Sequence, residues 1–442
     1  VSCIASSSGT GEVLSISDQN SDCQSISYQY KVSASAPPQF ACPSKGVFFG
    51  KGTRLHESVA GAGGGGVSSV LCSVGMFGTS IANSTAQTGD GGAVLLSLDS
   101  TLRVDDTTTF ESNAAAAGSG GAISCQDCGS MEFKGGTVFR SNKASISGGA
   151  VHLNSPKSPV VSEDTRFVSN TAAAGNGGAV NSHRGNWTSL GDQFESNVAV
   201  AGSGGAFSSF STPVLFDATT TCSSNKALQG GGGCLLWEPE AETLEDEKWK
   251  KLEPSISNMS LMVSNKAAYG ETLATPGASL RAVVDLADST TTSARMTTND
   301  NNILAPLHPT VEVLDWYGSV VRGKFAKNVE VEAKLLVKTA GLFGGTVTKA
   351  SKNGTTSFSD LGIQGRPGSG PHNISFEASS GARLLKTLAP VSAWIDVCRE
   401  NLHLEDNRCV KCPTRSVSPA GSTDRTDCSC DNTTFPGVFE DE

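Results

Sequence analysis

The stretch FESNAAAAGSGGAI, residues 110–123, decides how this chain folds. It is poor in large apolar residues, rich in Ala, and closes on two adjacent glycines before Ala-Ile. Taken alone it is low-complexity filler. The chain repeats it, however, as FRSNKASISGGAV from 139, FVSNTAAAGNGGAV from 167 and FESNVAVAGSGGAF from 194. Aligned on the Ala of Gly-Gly-Ala, the anchors are Ala93, Ala122, Ala150, Ala179 and Ala206, with Cys234 in the same slot, at intervals of 29, 28, 29, 27 and 28 residues. Asparagines run in parallel at Asn83, Asn113, Asn142, Asn170, Asn197 and Asn225. Phe110, Phe139, Phe167 and Phe194 stand three residues ahead of their asparagines, and Cys222 replaces Phe once. Upstream, Gly66 falls in the Ala slot. Downstream, Asn265 and Ala274 continue the pattern after a longer step. A fixed period of this size marks stacked units that bury their faces against one another.

Apolar residues in each unit come in short alternating runs such as GAVLLSLDS and GAVHLNS, which is a strand pattern and not a helical one. Three short strands and their turns fill one coil of a parallel β-helix, and each coil pairs with the next at about 4.8 Å. A position that points inward on one coil then points inward on all. Phe110, Phe139, Phe167 and Phe194 are expected to stack inside. Asn113, Asn142, Asn170, Asn197 and Asn225 are expected at a turn, where Asn tolerates the left-handed conformation and bonds backbone groups between coils. The paired glycines permit a positive φ at a corner. The enlarged step holds a charged insertion, 238–254, whose Glu247–Lys251 spacing and bracketing Pro239 and Pro254 read as a solvated surface helix. The residues between Asn and Gly-Gly vary most and are the candidates for exposed contacts.

Composition narrows the function classes. The 442 residues include 50 Gly, only 17% charged residues and a net charge of −10. That balance excludes the basic stripe that nucleic-acid binding needs. No apolar run approaches the roughly 20 residues of a transmembrane helix. The opening VSCIASSSGTG has neither the basic start nor the apolar run of a signal peptide, so a secreted chain would be a mature form or a fragment. No phosphate loop or nucleophile elbow is present, and no cofactor is expected. The thirteen cysteines lack zinc-ligand spacing and imply disulfides in an oxidising compartment. Cys125 and Cys128 read as structural. Cys222 and Cys234, in the Phe and Ala slots of one coil, should both face inward and bridge each other.

The tandem pairing of Phe-x-x-Asn with Gly-Gly-Ala-apolar, at Phe110–Asn113 with 120–123 and again from 139, 167 and 194, resembles the chlamydial polymorphic outer membrane protein repeat over roughly residues 55–280. That resemblance implies a surface-exposed β-helical protein with a structural or adhesive role. The chain lacks the alternation of a C-terminal membrane barrel. The rest is similar to large extracellular multidomain proteins of protists that use this repeat. VEVLDWYGSVV, 311–321, reads as strand, turn and strand, and further runs at roughly 8–12-residue spacing suggest an immunoglobulin-like antiparallel sandwich. The last segment, with Cys398, Cys409, Cys412, Cys428 and Cys430, resembles an ephrin-receptor-like cysteine-rich module, and the resemblance implies the pairs Cys398–Cys409 and Cys412–Cys428.

The expected fold is therefore all-β: a right-handed parallel β-helix followed by an Ig-like β-sandwich and a small disulfide-rich module. The boundaries are an N-terminal cap over 1–50, the helix over 51–285, a linker over 286–308, the sandwich over 309–397 and the cysteine-rich module over 398–442. The leading function is a secreted structural glycoprotein that self-associates into a surface appendage, sheath or filament. One alternative is a monomeric adhesin that binds glycans or host receptors. A second is a polysaccharide lyase or hydrolase, which would need gathered carboxylates. Asp105, Asp106, Glu163, Asp164 and Asp192 fall at different offsets from the next Phe and do not stack in one column, so no enzyme is expected. The six histidines, His56, His152, His183, His308, His372 and His403, show no shared site. Sequons at Asn186, Asn258, Asn353, Asn373 and Asn432 are usable glycan acceptors, and Asn83 is the least suited because it falls in the asparagine series.

Overall fold

The computed structural model describes residues 46–240, 246–283, 295–298 and 309–430, apart from 328, 338–339, 351–352 and 381–382, together with four short strands nearer the N-terminus. The chain forms two compact units, Val1–Pro276 with Asp315–Lys324, and Gly277–Leu314 with Phe325–Glu442.

The first unit is a parallel β-solenoid. Among the described residues its strands align into four parallel sheets of nine, eight, nine and eight strands, so a coil contributes four strands and not three. One coil runs Thr101–Asp105, Thr109–Glu111, Ala114–Ala115 and Ile123–Gln126. The strand missed in the sequence is the residue pair just after Asn. Two residues carry no alternation to read, and only pairing with the coils above and below makes them a strand.

Register brings like residues into columns. Phe110 pairs with Phe139, Phe139 with Phe167, Phe167 with Phe194, and Phe194 with Cys222. Successive rings stack nearly parallel at centroid distances of 4.7, 5.0 and 4.8 Å. All four are fully buried, and Phe133 meets Phe139 edge-on at 5.3 Å. Trp187, also interior, meets Phe133, Phe167 and Phe207. Truncating such a ring to Ala costs about 3–5 kcal/mol.

The asparagines form a second interior column. Asn142 Nδ2 donates to Asn170 Oδ1 at 3.0 Å and to the Phe110 carbonyl, one coil back, at 3.0 Å. Its Oδ1 accepts from the backbone N–H and the Nδ2 of Asn113, both at 3.0 Å. Both amide hydrogens and both oxygen lone pairs are thus used, which is what permits a buried amide. The pattern repeats through Asn170, Asn197 and Asn225 to Asn265. The asparagines are not the left-handed residues. That conformation belongs to the residue before each of them, Ser112, Ser141, Ser169, Ser196 and Ser224, with φ of 55–58°. Asn83 is exposed with φ 55°, and Ser84 takes the ladder slot, its backbone N–H bonding Asn113 Oδ1 at 3.0 Å. The ten-residue step from Asn83 to Ala93, one longer than usual, is this displacement.

The two glycines do different work. Gly177 has φ 71°. A Cβ on Gly178 would lie 2.0 Å from the Gly205 carbonyl oxygen of the next coil, so only hydrogen fits. The following Ala is fully buried in every coil from Ala93 to Ala206.

The ends depart from expectation. Gln29–Tyr30 and Gln39–Ala41 pair in parallel with Arg54–His56 and Val67–Val70, so part of the N-terminal segment continues the solenoid where a cap was expected. At the other end Thr272 occupies the Ala slot, and Ala274 pairs with Leu236. The charged insertion forms a helix, Asp246–Leu252, but Trp249 on it is buried against Trp237 at 5.6 Å and Trp316 at 5.7 Å. Tyr317 accepts from Trp237 Nε1 at 2.8 Å. The insertion helix and the segment Asp315–Lys324 therefore pack together on Trp237, with the Trp316 backbone N–H bonded to Thr275 Oγ1 at 2.9 Å, and the helix is no free surface element.

In the second unit Thr310–Leu314 pairs antiparallel with Ser279–Val283 and with Thr355–Ser357. The expected strand–turn–strand across Tyr317-Gly318 does not form a hairpin, because Asp315 Oδ1 binds the N–H groups of Tyr317 and Ser319 and the two aromatics leave for the first unit. The boundaries shift accordingly. Ser279–Val283, assigned to the helix, is a strand here, and Arg295–Thr298, assigned to the linker, pairs with Val391–Ile395. Glu330–Leu335 pairs with His372–Ser380, which also pairs with Arg383–Lys386 and Val391–Ile395, over a core that includes Val331, Ile374, Phe376 and Leu385. A hairpin of Leu402–Glu405 with Arg408–Lys411 follows, flanked by the disulfides Cys398–Cys409 and Cys412–Cys428.

Replacing Asn170 by Leu would leave the Asn142 N–H and one Asn142 Nδ2 hydrogen without their acceptor and remove a donor from the Phe139 carbonyl and from Asn197 Oδ1. Each unsatisfied buried group costs about 1–3 kcal/mol, so Asn170→Leu should lower the unfolding free energy by about 3 kcal/mol or more. Urea unfolding against Val168→Thr, outward on the preceding strand, measures it. A loss no larger than that of Val168→Thr would remove the ladder from the account of stability.

Candidate binding face

In the strands Val94–Ser97, Val151–Asn154 and Val180–His183 after Gly-Gly-Ala, residues alternate between buried and half-buried, whereas in Ile123–Gln126 and Phe207–Phe210 only the last residue is open. In Val151–Asn154, Val151 and Leu153 are buried while His152 and Asn154 reach the outer face. Register turns these outward positions into two columns. One runs through Ser124, His152, Asn181 and Ser208, where His152 and Asn181 are half-buried and the two serines are covered; the other is Gln126, Asn154, His183, Phe210 and Glu238.

Neighbouring rungs hold one another in place. Asn154 Nδ2 donates to Gln126 Oε1 at 2.9 Å. Asn181 Nδ2 lies 3.1 Å from His152 Nδ1, a contact the neutral imidazole accepts with its proton on Nε2. The His183 ring stacks on Phe210 at 4.5 Å with 3° between planes. Burial pushes His152 down to about 4, reinforced by His183 and opposed by Asp90. His183 is lowered too, by burial and then by Arg184, with Glu240 opposing. Both imidazoles are neutral at neutral pH.

A polar rim borders this face. The residue before each Gly-Gly accepts a backbone N–H from the next coil: Asp90 Oδ1 from Ser119, Ser147 Oγ from Asn176, Asn176 Oδ1 from Ser203, at 2.6, 3.1 and 3.0 Å. Asp90 Oδ2 also accepts from Gln126 Nε2 at 3.0 Å, tying rim to face. Lys324 Nζ donates to Asn176 at 2.7 Å, and Arg184 is bonded to Glu240. The expectation that the residues between Asn and Gly-Gly supply exposed contacts thus holds for the rim only in part, since its polar tips are engaged along the stack.

Of the five candidate carboxylates, Asp105, Asp106, Glu163 and Asp164 lie on the outer turns, and Asp192 is fully buried inside. Asp192 Oδ1 accepts from the Thr165 N–H at 2.9 Å, and Oδ2 accepts from Ser189 Oγ. Burial raises it to about 7, against those hydrogen bonds. Two of the histidines thought scattered, His152 and His183, share the outer face. The signal was present: they stand two and four residues after their Gly-Gly-Ala alanines, both outward in the alternation. His56 contacts Ser80 Oγ at 3.2 Å and His372 contacts Ser369 Oγ at 2.9 Å. His308 lies outside the described residues. His403, Cys412 and Cys428 bring ligand atoms within 4.8 Å, but the two sulfurs are bonded to each other.

Disulfides also join Cys125 to Cys128 and Cys222 to Cys234, all four fully buried. Cys430 is exposed and outside any disulfide. Among the sequons, Asn186 and Asn353 are exposed, as is Asn83. Asn258 caps the short helix Met259–Leu261, and Asn373 accepts from Ser392 Oγ at 2.9 Å. Asn432 lies outside the described residues.

The family model of the Chlamydia polymorphic membrane protein (Chlamydia_PMP) repeat matches residues 107–126. That span contains Phe110, Asn113 and Gly120–Ala122 of a single coil. Comparison with curated proteins and with solved structures gave no match. The matched repeat and the solenoid together mark a Pmp-type repeat, which points to a surface or outer-membrane-associated protein. Among the described residues, no helix is long and apolar enough to cross a membrane.

Asp192 yields a pH test. Its folded value of about 7 lies above the ordinary 3.8, so between these the folded chain keeps a proton the unfolded chain releases. Stability therefore falls as pH rises through that window and stays reduced above it. Thr165 and Thr220 fill the same slot on adjacent coils, which makes Asp192→Thr a natural replacement. The variant should gain more in urea unfolding at pH 8 than at pH 4. His152 contributes the opposite slope to both proteins, so the difference isolates Asp192. Equal gains at both pH values would refute the assignment.

Proposed function

We propose that this chain is a surface-exposed binding protein whose solenoid lays an adhesive strip along its length. The reading rests on one observation above the others. The stacked His183–Phe210 pair sits in a column with Asn154 and beside His152 and Asn181, all on one face and one coil apart. Rigid aromatic surface with planar amide and imidazole hydrogen-bonding groups is the equipment of a recognition surface. Because the rungs repeat along the stack, the matching ligand is extended: a polymer lying parallel to the solenoid axis.

The adhesive reading is preferred to a fibre built by strand-edge addition. An open solenoid end would offer unpaired strand edges to another copy. Here Trp237, Trp249, Trp316 and Tyr317 cluster beside the last described coil, where they would crowd an incoming strand. The catalytic reading has less support, since the candidate carboxylates do not meet on the strip.

The test is retention of the full chain on immobilised saccharide polymers, compared with His183→Ala/Phe210→Ala. Both positions face outward, so the double variant should keep its unfolding midpoint and lose roughly tenfold or more in affinity, about 1.4 kcal/mol. Unchanged retention in the double variant would sink the proposal.

A further inference from the structure

We infer that the strip takes an uncharged saccharide chain and discriminates against polyuronates and other acidic polymers. This rests on the binding reading above and adds the ligand class.

Three features of the face carry it. Its rungs are neutral groups from Gln126 through Asn154 and His152 to Asn181 and Phe210, able to donate, accept and stack but not to neutralise a charge. The burial that lowers both imidazoles keeps them from becoming cations near neutral pH. One end is acidic, where Asp90 is bonded to Gln126; at the other, Glu238 follows Phe210 in register but is partly buried with Lys324 beside it. The cations beside the face are already engaged, Arg184 with Glu240 and Lys324 with Asn176. An anionic polymer would meet the Asp90 carboxylate, while Arg184 and Lys324, the cations described beside the face, are held in these contacts, in a chain of net charge −10. Juxtaposed like charge is an effective means of rejecting a wrong partner.

The backbone argues for a saccharide over an extended peptide. Peptides dock on sheets by adding a strand to an edge. The strands of this sheet are paired on both sides through the run that carries the strip, in the order that joins Val94–Ser97, Ile123–Gln126, Val151–Asn154, Val180–His183, Phe207–Phe210 and Leu235–Glu238. Only side chains are left to bind. Those are amides, imidazoles and one aromatic ring, which suit hydroxyl and acetamido groups and the apolar face of a sugar ring.

The experiment compares two polymers of matched length, a neutral hexose or N-acetylhexosamine chain and a uronic-acid chain, for binding to the full-length protein at low and high salt. The neutral polymer should bind at both salt levels, and the uronate at least tenfold more weakly at low salt. Asp90→Asn should narrow that gap by raising the ratio of uronate to neutral binding several-fold, and an unchanged ratio would count against charge rejection. Uronate bound as well as or better than the neutral chain, with loss in His183→Ala/Phe210→Ala, overturns the ligand class and leaves the strip standing. Binding of neither polymer, or binding indifferent to that double variant, overturns the strip and the ligand class together.

Discussion

The solenoid depends on the buried asparagine column. A side-chain amide in a dry interior is tolerable only if both hydrogens and both lone pairs are used. Asn113, Asn142, Asn170, Asn197 and Asn225 meet that condition through one another and through the carbonyl at or opposite the Phe slot one coil back. No single coil can satisfy its own asparagine, so the unit is stable only as a stack. The same bonds set the vertical register. Once Asn170 lies over Asn142, Phe167 lies over Phe139 and Gly178 over Gly149, and the rings and the glycine close approach follow. An amide ladder thus supplies specificity, and the aromatic stack beside it is one part of a continuous apolar core with Val94, Leu96, Ile123, Leu153 and Trp187.

That register also makes the outer face. Alternation within a strand decides that His152 and Asn154 point outward, but stacking decides that His152 stands beside Asn181 and that His183 meets Phe210. Interior regularity fixes the spacing, and the exterior is free to vary from rung to rung, as Gln126, Asn154, His183 and Phe210 do. A solenoid of this kind can present any sequence of side chains as a straight strip. Function is therefore carried by what varies and fold by what repeats.

Departures from the repeat mark where the stack is modified. The longer Asn83 step moves an asparagine from the ladder to the surface and leaves Ser84 Oγ buried without a partner. Cys222 replaces a ring and, bonded to Cys234, spans the interior where the aromatic column stops. Asp192 replaces a threonine and brings a carboxyl into the core, which pushes its ionisation up by burial. The insertion and the Asp315–Lys324 segment, 61 or more residues apart in the chain, meet in a cluster of tryptophans. A charged, Pro-bracketed insertion looks solvent-facing because its polar residues outnumber its one tryptophan, yet that tryptophan decides where it packs.

The repeat, its period, the interior columns of Phe and Asn and the use of paired glycines were legible in the sequence, because each coil poses the same local problem and solves it with the same residues. The fourth strand was not legible, because two residues carry no alternation. Nor was the assignment of the left-handed turn to serine and not to asparagine, since both residue types tolerate corners. The meeting of His152 with Asn181, and of Trp237 with Trp249 and Trp316, was decided by tertiary structure alone. Those contacts join residues 29, 12 and 79 positions apart, and their partners are chosen by stacking register and by the search of large apolar rings for burial, neither of which any local window of sequence contains.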